Sequence, residues 1–329
     1  MNIQIGIVGT GNFGYHHGAI LSQMDGVQIR SICGTSIDKA EKLAAKFDGA
    51  KGYSHIEDML DANELDAVYI CVPPGAHGEI ERELVHRSIP FFVEKPLGVD
   101  LETPRNLLTA IQQKSLITSV GYHFRYTESV QLVKKMMSAC TSGITLGQWM
   151  GTMPGVDWWK NQRISGGQFI EQTTHIVDLL RYVCGEIDEV YAMFGTSATA
   201  EKDPSITVAD VGTVNMELKN GTVANIANTC LLPPPMSRTG MTFYTDQGTI
   251  DWSPSRLDVN FEGTQSKFSD SMNPYQTESE AFLHAVRTGD SSRILSDYHD
   301  AYQTHRVTCA ALESATKGIP IILRDDNEG

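Results

Sequence analysis

Over the first 122 residues, apolar positions come in short runs separated by longer mixed segments. IQIGIVG (3–9), VQIRSIC (27–33), LDAVYICV (65–72), IPFFVEKP (89–96) and LITSVGY (116–122) are each of strand length and bounded by Gly, Pro or polar residues. The segments between them wind as helices. NFGYHHGAILSQM follows the first run directly, and Ser36 can cap a helix whose Ala40, Leu43, Ala44 and Phe47 recur at i, i+3, i+4 and i+7. Ser54 and Glu57 have capping-box spacing and open another short helix. Strands alternating with helices predict a parallel sheet covered on both faces, because each crossover must return over the sheet. Residues 1–122 therefore read as a doubly wound α/β domain.

Past about residue 125 the pattern changes. VGTVNMELKNGTVANIANTC (211–230) holds two extended runs around Asn220-Gly221, a pair suited to a two-residue hairpin in which both central positions take positive φ. MTFYTDQGTIDW and LDVNFEG continue in the same style, so this half contains antiparallel sheet. Helices return in ESEAFLHAVRTG and SDYHDAYQTHRVTCAALESATKG, the latter ending at Gly318 with Pro320 beyond. Residues 123–329 read as a second, α+β domain, with a C-terminal helix able to pack back on the first.

Composition narrows the functional classes. The formal charge of −14, from 26 Lys and Arg against 40 Asp and Glu, disfavours long-range attraction to nucleic acid or an anionic membrane and leaves a small molecule as the expected partner. The six cysteines are scattered with no C-x-x-C pair, which argues against zinc ribbons and redox dithiols; no metal is expected. The opening MNIQIGIVGTGNFG lacks a basic targeting region, and no apolar stretch approaches the ~20 residues a membrane span needs. The expected location is cytoplasmic.

Gly9, Gly11 and Gly14 form G-x-G-x-x-G, with Thr10, Asn12 and Phe13 between them, where the first strand turns into the first helix. The first glycine permits the tight turn, the second lets backbone approach a pyrophosphate, and the third lets helix and strand pack closely; N–H groups at the helix start then meet the anion. This is a dinucleotide site. An acidic residue for the ribose of NAD should follow at the end of the second strand, but Gly34 stands there. Thr35 and Ser36 can donate hydroxyl hydrogen bonds to a 2′-phosphate and Lys39 can add charge, although Asp38 is nearby. NADP(H) is expected in preference to NAD(H).

Glu94, Lys95 and Pro96 close the fourth strand run, so Lys95 emerges at the sheet edge where ligands of doubly wound folds bind. With these residues in view, the chain resembles the Gfo/Idh/MocA oxidoreductases, the family of glucose–fructose oxidoreductase and inositol dehydrogenase. GIVGTGNFG opens the resemblance, CVPPGAHGE with Pro73 and His77 matches the segment after the next strand, and VEKP is the family signature. GYHFRY follows at the domain boundary, SGGQFIEQTTHIVDLLRYVCG is similar to the substrate-domain motif, and SEAFLHAVRTG to a C-terminal helix. The resemblance implies a Rossmann domain followed by a domain with a large, mostly antiparallel open sheet that mediates homodimers or homotetramers. It implies action on a hydroxyl or ketone of a sugar or cyclitol, a contact of Lys95 with both nicotinamide and substrate, and a cis peptide before Pro96. It also places Pro73, His77 and Glu94 beside the cofactor.

The family motif places an aspartate four residues before the catalytic histidine; here Glu171 takes that place, Thr173 replaces a glycine and His175 is the histidine. On a continuous helix Glu171 and His175 share a face, with Asp178 close to the same stripe. Buried polar groups of this kind need bonding partners, which substrate hydroxyls could supply. Gly166 and Gly167 permit close backbone approach to a ligand. Lys95, His175 and Glu171 are thus the candidate catalytic residues, and Tyr122, His123, Arg125 and Trp158 join them as candidate substrate contacts. For the tryptophans of DWW core packing is an equal alternative, and His16 and His17 read as solvent-facing or structural. Two rival functions remain open on the same residues: a non-catalytic NAD(P) sensor and a redox-assisted glycosidase.

Overall fold

The computed structural model describes residues 2–196 and 203–323. The chain divides into two compact units, Met1–His123 with Asn273–Tyr302, and Phe124–Met272 with Gln303–Gly329. Residues 273–302, which follow the boundary drawn at 123 from the sequence pattern, group with the first unit, as the expected packing-back of a C-terminal helix allows.

The first unit is built on β1 (Ile3–Val8), β2 (Val27–Cys33), β3 (Lys51–Tyr53), β4 (Ala67–Ile70), β5 (Phe91–Val93) and β6 (Thr118–Val120), all parallel, in the order β3-β2-β1-β4-β5-β6. β4 and β5 are buried at every position, as strands covered on both faces must be. Their side chains alternate between two cores: Tyr69 and Phe92 pack on one face with Phe282 and Leu283, while Val68, Ile70, Phe91 and Val93 pack on the other with Leu84, Leu107 and Tyr302. Strand order reverses between β1 and β4, which places the ligand crevice of such a sheet beyond their C-terminal ends.

Helix Ile37–Ala44 starts as expected, with Ser36 Oγ accepting from the Lys39 amide and Ala40, Leu43, Ala44 and Phe47 buried. The capping box at Ser54 does not form. The helix begins at Ile56 with His55 at its N-cap and no side-chain bond to the cap.

The second unit holds a nine-stranded mixed sheet of β7 (Ser142–Met150), β8 (Ile187–Gly195), β9 (Val211–Leu218), β10 (Val223–Thr229), β11 (Arg238–Thr245), β12 (Gly248–Ser253), β13 (Arg256–Phe261), β14 (Thr264–Phe268) and β15 (Ile321–Ile322). The order is β14-β13-β12-β11-β7-β10-β9-β8-β15, antiparallel except for the pair β7–β10. One face carries the core: Val214, Met216, Ala224, Ile226, Met241, Phe243 and Ile250 pack with Ile176, Val177 and Leu180 of helix Thr174–Cys184 and Val130 and Val133 of helix Glu128–Met137. Gly147 lets that helix lie close, since a Cβ there would stand 2.7 Å from the Ile176 Cγ2. On the opposite face Ile144, Leu146, Met193, Val223 and Tyr244 are exposed.

The hairpin at Asn220-Gly221 joins β9 to β10 antiparallel, but only Gly221 takes positive φ (83°). Asn220 instead spends its side chain locally: its Oδ1 accepts from the Thr222 amide and its Nδ2 donates to the Cys184 carbonyl.

Candidate functional site: a phosphate cradle and a buried histidine

In the first unit β1 runs into a turn in which Gly9 has φ 117°, and its amide bonds the Cys33 carbonyl at 2.9 Å. A Cβ on Gly9 would stand 2.1 Å from the Cys71 carbonyl oxygen, and one on Gly14 would stand 2.1 Å from the Gly9 oxygen. Gly11 differs: nothing lies within 4 Å of its would-be Cβ. The outer two glycines are thus demanded by packing, and the middle one faces open space. Gly11 is the N-cap of helix Asn12–Leu21, and that helix has neither a side-chain cap bond nor an acidic residue in its first turn. Its leading N–H groups and the positive end of its dipole are left for an external anion, as a bound pyrophosphate requires. Asn12 and Phe13 are exposed in that first turn and Thr10 is half-buried.

At the end of β2, at the position that bears the ribose carboxylate in NAD sites, stands Gly34, and a side chain there would meet Thr10 Cγ2 at 2.6 Å, so the Thr10 side chain would have to shift to admit one. Lys39 Nζ donates to Thr35 Oγ1 at 3.2 Å, which groups the cation and the hydroxyl beside Ser36.

His77, expected beside the cofactor, is held through one ring nitrogen by a carboxylate. Its Nδ1 is 2.5 Å from Glu81 Oε1, and Glu81 Oε2 accepts from the Gly78 amide at 2.6 Å, closing the start of helix Glu79–Arg87. Burial works to raise the Glu81 carboxyl, but the His77 imidazole and the Gly78 N–H outweigh it and hold the group below the usual carboxylate range.

Glu94 is also turned inward, with Oε1 2.7 Å from the Nε2 of His17, and His17 is fully buried rather than solvent-facing. Lys95 follows half-buried, and its peptide bond to Pro96 is cis. Pro73 is half-buried after β4, whereas Tyr122 lies wholly in the core. His123 is buried and stacked on Tyr275 at 4.2 Å between ring centroids and 19° between planes. Burial, assisted by the positive charge of Lys95 and by His17 and His16, pushes the His123 imidazole down to about 3, so it is neutral at working pH.

In the second unit the segment read as one helix is two. Gln168–Glu171 forms a single turn, the Thr173 amide reaches back to the Gln168 carbonyl, and a new helix runs Thr174–Cys184. Glu171 and His175 therefore do not share a face of one continuous helix. The break is stabilised from outside, because the Gln168 side chain is bound to Asn228 Nδ2 and to the Thr229 carbonyl of β10. Gly166 and Gly167 both have positive φ, 76° and 82°, so their freedom makes the turn into this segment.

Glu171 Oε2 accepts from the indole N–H of Trp159 at 2.7 Å. His175 is buried, its ring parallel to Trp149 (5.7 Å, 17°) and tilted against Phe124 (5.3 Å). Trp158 is half-buried and packs with Trp159 and Cys230. Arg125 is engaged inside the fold: its Nε and Nη2 donate to the two oxygens of Asp178 at 2.8 and 2.6 Å, and both side chains are 2% exposed. Arg125 is a strut, and Asp178 is its partner rather than part of a ligand stripe. Trp149, Phe124 and Tyr275 were not legible as site residues, since each meets its histidine through tertiary contact. Trp159 was a candidate from DWW as an aromatic face or as core, and its bond to Glu171 is a contact that the motif did not record.

Fold and cradle together define a dinucleotide-binding protein of the doubly wound class. Comparison with known proteins narrows this. Residues 3–122 match the family described as "Oxidoreductase family, NAD-binding Rossmann fold", and residues 143–251 match the GFO/IDH/MocA C-terminal domain. The chain belongs to the Gfo/Idh/MocA family of NAD-dependent oxidoreductases. The oxidoreductase YrbE of Bacillus subtilis is 24% identical over 97% of this chain and 96% of its own length, and the myo-inositol 2-dehydrogenase of Thermotoga maritima is 24% identical over 69% and 68%. Among solved structures, the WlbA dehydrogenase of Bordetella pertussis, in complex with NADH and UDP-GlcNAcA, superposes with a TM-score of 0.85 at 22% identity, covering 99% of each chain. GenD2 of gentamicin A biosynthesis, in complex with NAD, superposes with a TM-score of 0.85 at 19% identity over 98% and 97%. Among the described residues no helix is long and apolar enough to cross a membrane.

Proposed function

We propose that the protein catalyses reversible oxidation of a secondary hydroxyl on a sugar, sugar derivative or cyclitol, with NADP(H) favoured over NAD(H). The observation that carries the reading is His175, an imidazole walled by Trp149 and Phe124, with Glu171 just ahead of it in the chain and oriented by Trp159. Oxidising a carbinol requires a group that takes the hydroxyl proton as hydride leaves, and imidazole is the side chain that changes protonation nearest neutral pH. His175 takes that proton in one direction and returns it in the other. Lys95 donates a hydrogen bond to the same oxygen. Glu171, its Oε2 anchored on the indole, accepts hydrogen bonds from neighbouring substrate hydroxyls. The turn at Gly9–Gly14 would hold the pyrophosphate of a nicotinamide dinucleotide, which would supply or take up the hydride.

The substrate class is supported by relatives such as the myo-inositol 2-dehydrogenase and by the aromatic faces of Trp149 and Phe124 around His175. The cofactor preference is supported by Gly34 in place of an acid and by Thr35, Ser36 and Lys39 at the same strand end.

The test is a panel of sugars and polyols assayed with NADP and NAD by the absorbance of reduced nicotinamide. Net turnover is expected on a polyhydroxylated substrate, with His175→Ala lowering kcat by ~10²–10⁴ while cofactor affinity holds. Equal turnover by the variant removes His175 from the chemistry. Glycosidic cleavage without net cofactor reduction points to a glycosidase, and cofactor binding without any reaction points to a sensor.

A further inference from the structure

Three ionisable side chains meet inside the first unit, away from the phosphate turn. His17 lies on the first helix, Glu94 just past β5, and Glu278 on helix Pro274–Thr288; one ligand-type atom of each lies within 4.8 Å of the others. His17 and Glu278 are 0% exposed and Glu94 is 5% exposed. Glu94 Oε1 is bonded to His17 at 2.7 Å, but neither oxygen of Glu278 has a hydrogen-bond partner. Two carboxylates sealed from water without a counter-charge would be prohibitively unfavourable, so either a proton or a cation resides with them.

The distances favour the proton. Two ligands about 2.1 Å from one tetrahedral ion stand roughly 3.4 Å apart, whereas His17 Nε2 and Glu94 Oε1 are 2.7 Å apart, the spacing of a charge-assisted hydrogen bond. The surrounding groups do not supply a compensating charge on Glu278 itself. Burial, reinforced by the Glu94 charge, pushes both the Cys71 thiol and the Tyr275 hydroxyl up, which keeps them neutral. His123 is neutral, and burial lowers His16, which sits beside Tyr275. Burial and the Glu94 charge act on Glu278 in the same sense, raising it well above the ordinary carboxylate range.

We propose that Glu278 is a positioning residue: held as a neutral carboxylic acid, it shares its proton with Glu94, directly or through one water, and so fixes the segment that presents Lys95. The hydrogen-bond chain runs from the Glu278 O–H to the Glu94 carboxylate, which accepts on its other side from His17 N–H. It ties the third element of this core, a helix from late in the chain, to the residue immediately before Lys95. The proposal deepens the reading in which Lys95 contacts the reacting oxygen and rests on it for its consequence in catalysis. The protonation of Glu278 is tested separately.

The experiment uses the full chain saturated with NADP. Infrared difference spectra of the wild type and Glu278→Gln should show the C=O stretch of a protonated carboxylic acid in the first and not in the second. Glu278→Gln is the isostere of the neutral acid, so its kcat should stay within about threefold of wild type and its pH profile should not move. Glu278→Ala should lower kcat by about tenfold or more with cofactor Kd unchanged, because a catalytic group displaced by ~1 Å loses rate rather than cofactor affinity. The proposal is overturned by absence of the carboxylic band in the wild type, by stoichiometric metal in the purified protein, or by a loss in Glu278→Gln equal to that in Glu278→Ala. If the band is found but Lys95 proves dispensable for turnover, the reading of Lys95 fails and the protonated pair stands; should Glu278→Ala not fold, the spectrum and the Gln variant still decide.

Discussion

Gly11→Ala separates the binding role of the glycine turn from its folding role. Gly11 has φ −81° and ψ −171°, which any residue adopts, and its added methyl would meet nothing within 4 Å. Restricting the unfolded chain stabilises by about 0.4–1 kcal/mol, while alanine at an N-cap is less favourable than glycine by a similar amount. Stability should therefore stay within about 1 kcal/mol of wild type. The methyl would, however, occupy the space a pyrophosphate needs to reach the leading N–H groups of the helix. Losing one hydrogen bond to a charged group costs about 1.5–3 kcal/mol, and at 1.4 kcal/mol per decade this raises the cofactor Kd roughly 10- to 150-fold. Gly14→Ala should behave in the opposite way, since its Cβ would stand 2.1 Å from the Gly9 oxygen and the turn cannot form without moving backbone. Urea unfolding and fluorescence titration with NADP(H) on the two variants measure both quantities. Wild-type cofactor affinity in a folded Gly11→Ala protein would refute the cradle as the binding site.

Asp178→Ala leaves the Arg125 guanidinium buried without its carboxylate and should destabilise the protein by about 3–5 kcal/mol in urea unfolding, as expected on breaking a buried pair. His123, depressed to about 3 in the folded protein, binds a proton in the unfolded chain first; its contribution is complete above the unfolded value of 6.5 and lost as pH falls toward 3. Between those values wild type should lose up to about 1.4 kcal/mol per pH unit more than His123→Phe, and parallel stability profiles for the two would contradict a neutral buried imidazole. Lys39→Ala should lower kcat/KM for NADP by about tenfold with little change for NAD, in line with the loss of one charge-assisted hydrogen bond; an equal loss for both cofactors would place Lys39 outside the 2′-phosphate subsite.

What could be read from the sequence follows the range of the interactions involved. The parallel sheet was legible because AVYI and FFV are apolar on both faces, and a strand with that pattern has to be covered on both sides. The phosphate turn was legible because its requirements lie within a few residues: a positive φ at Gly9 and a close approach at Gly14. Ser36 capped its helix as expected, while Ser54 lost the N-cap to His55. Asn220 kept negative φ because its amide found partners at Cys184 and Thr222, and a single glycine sufficed for the turn.

The substrate half resisted for the same physical reason in reverse. The helical pattern through GGQFIEQTTHIVD is interrupted at Gln172-Thr173, and the turn before the interruption is tied to β10 through the Gln168 side chain, a partner of which local periodicity carries no record. Arg125 reads in the sequence as a ligand contact, and its pairing with Asp178, fifty-three residues on, has no local signal; Glu171 likewise gains its orientation from Trp159, twelve residues away and in another element. A site that binds a common cofactor can be made from backbone and therefore writes itself into a short motif. One that selects a particular small molecule must be made from side chains held by distant neighbours, so a motif can keep His175 and yet carry Glu171 where the family has an aspartate, with an indole placed to hold the longer arm.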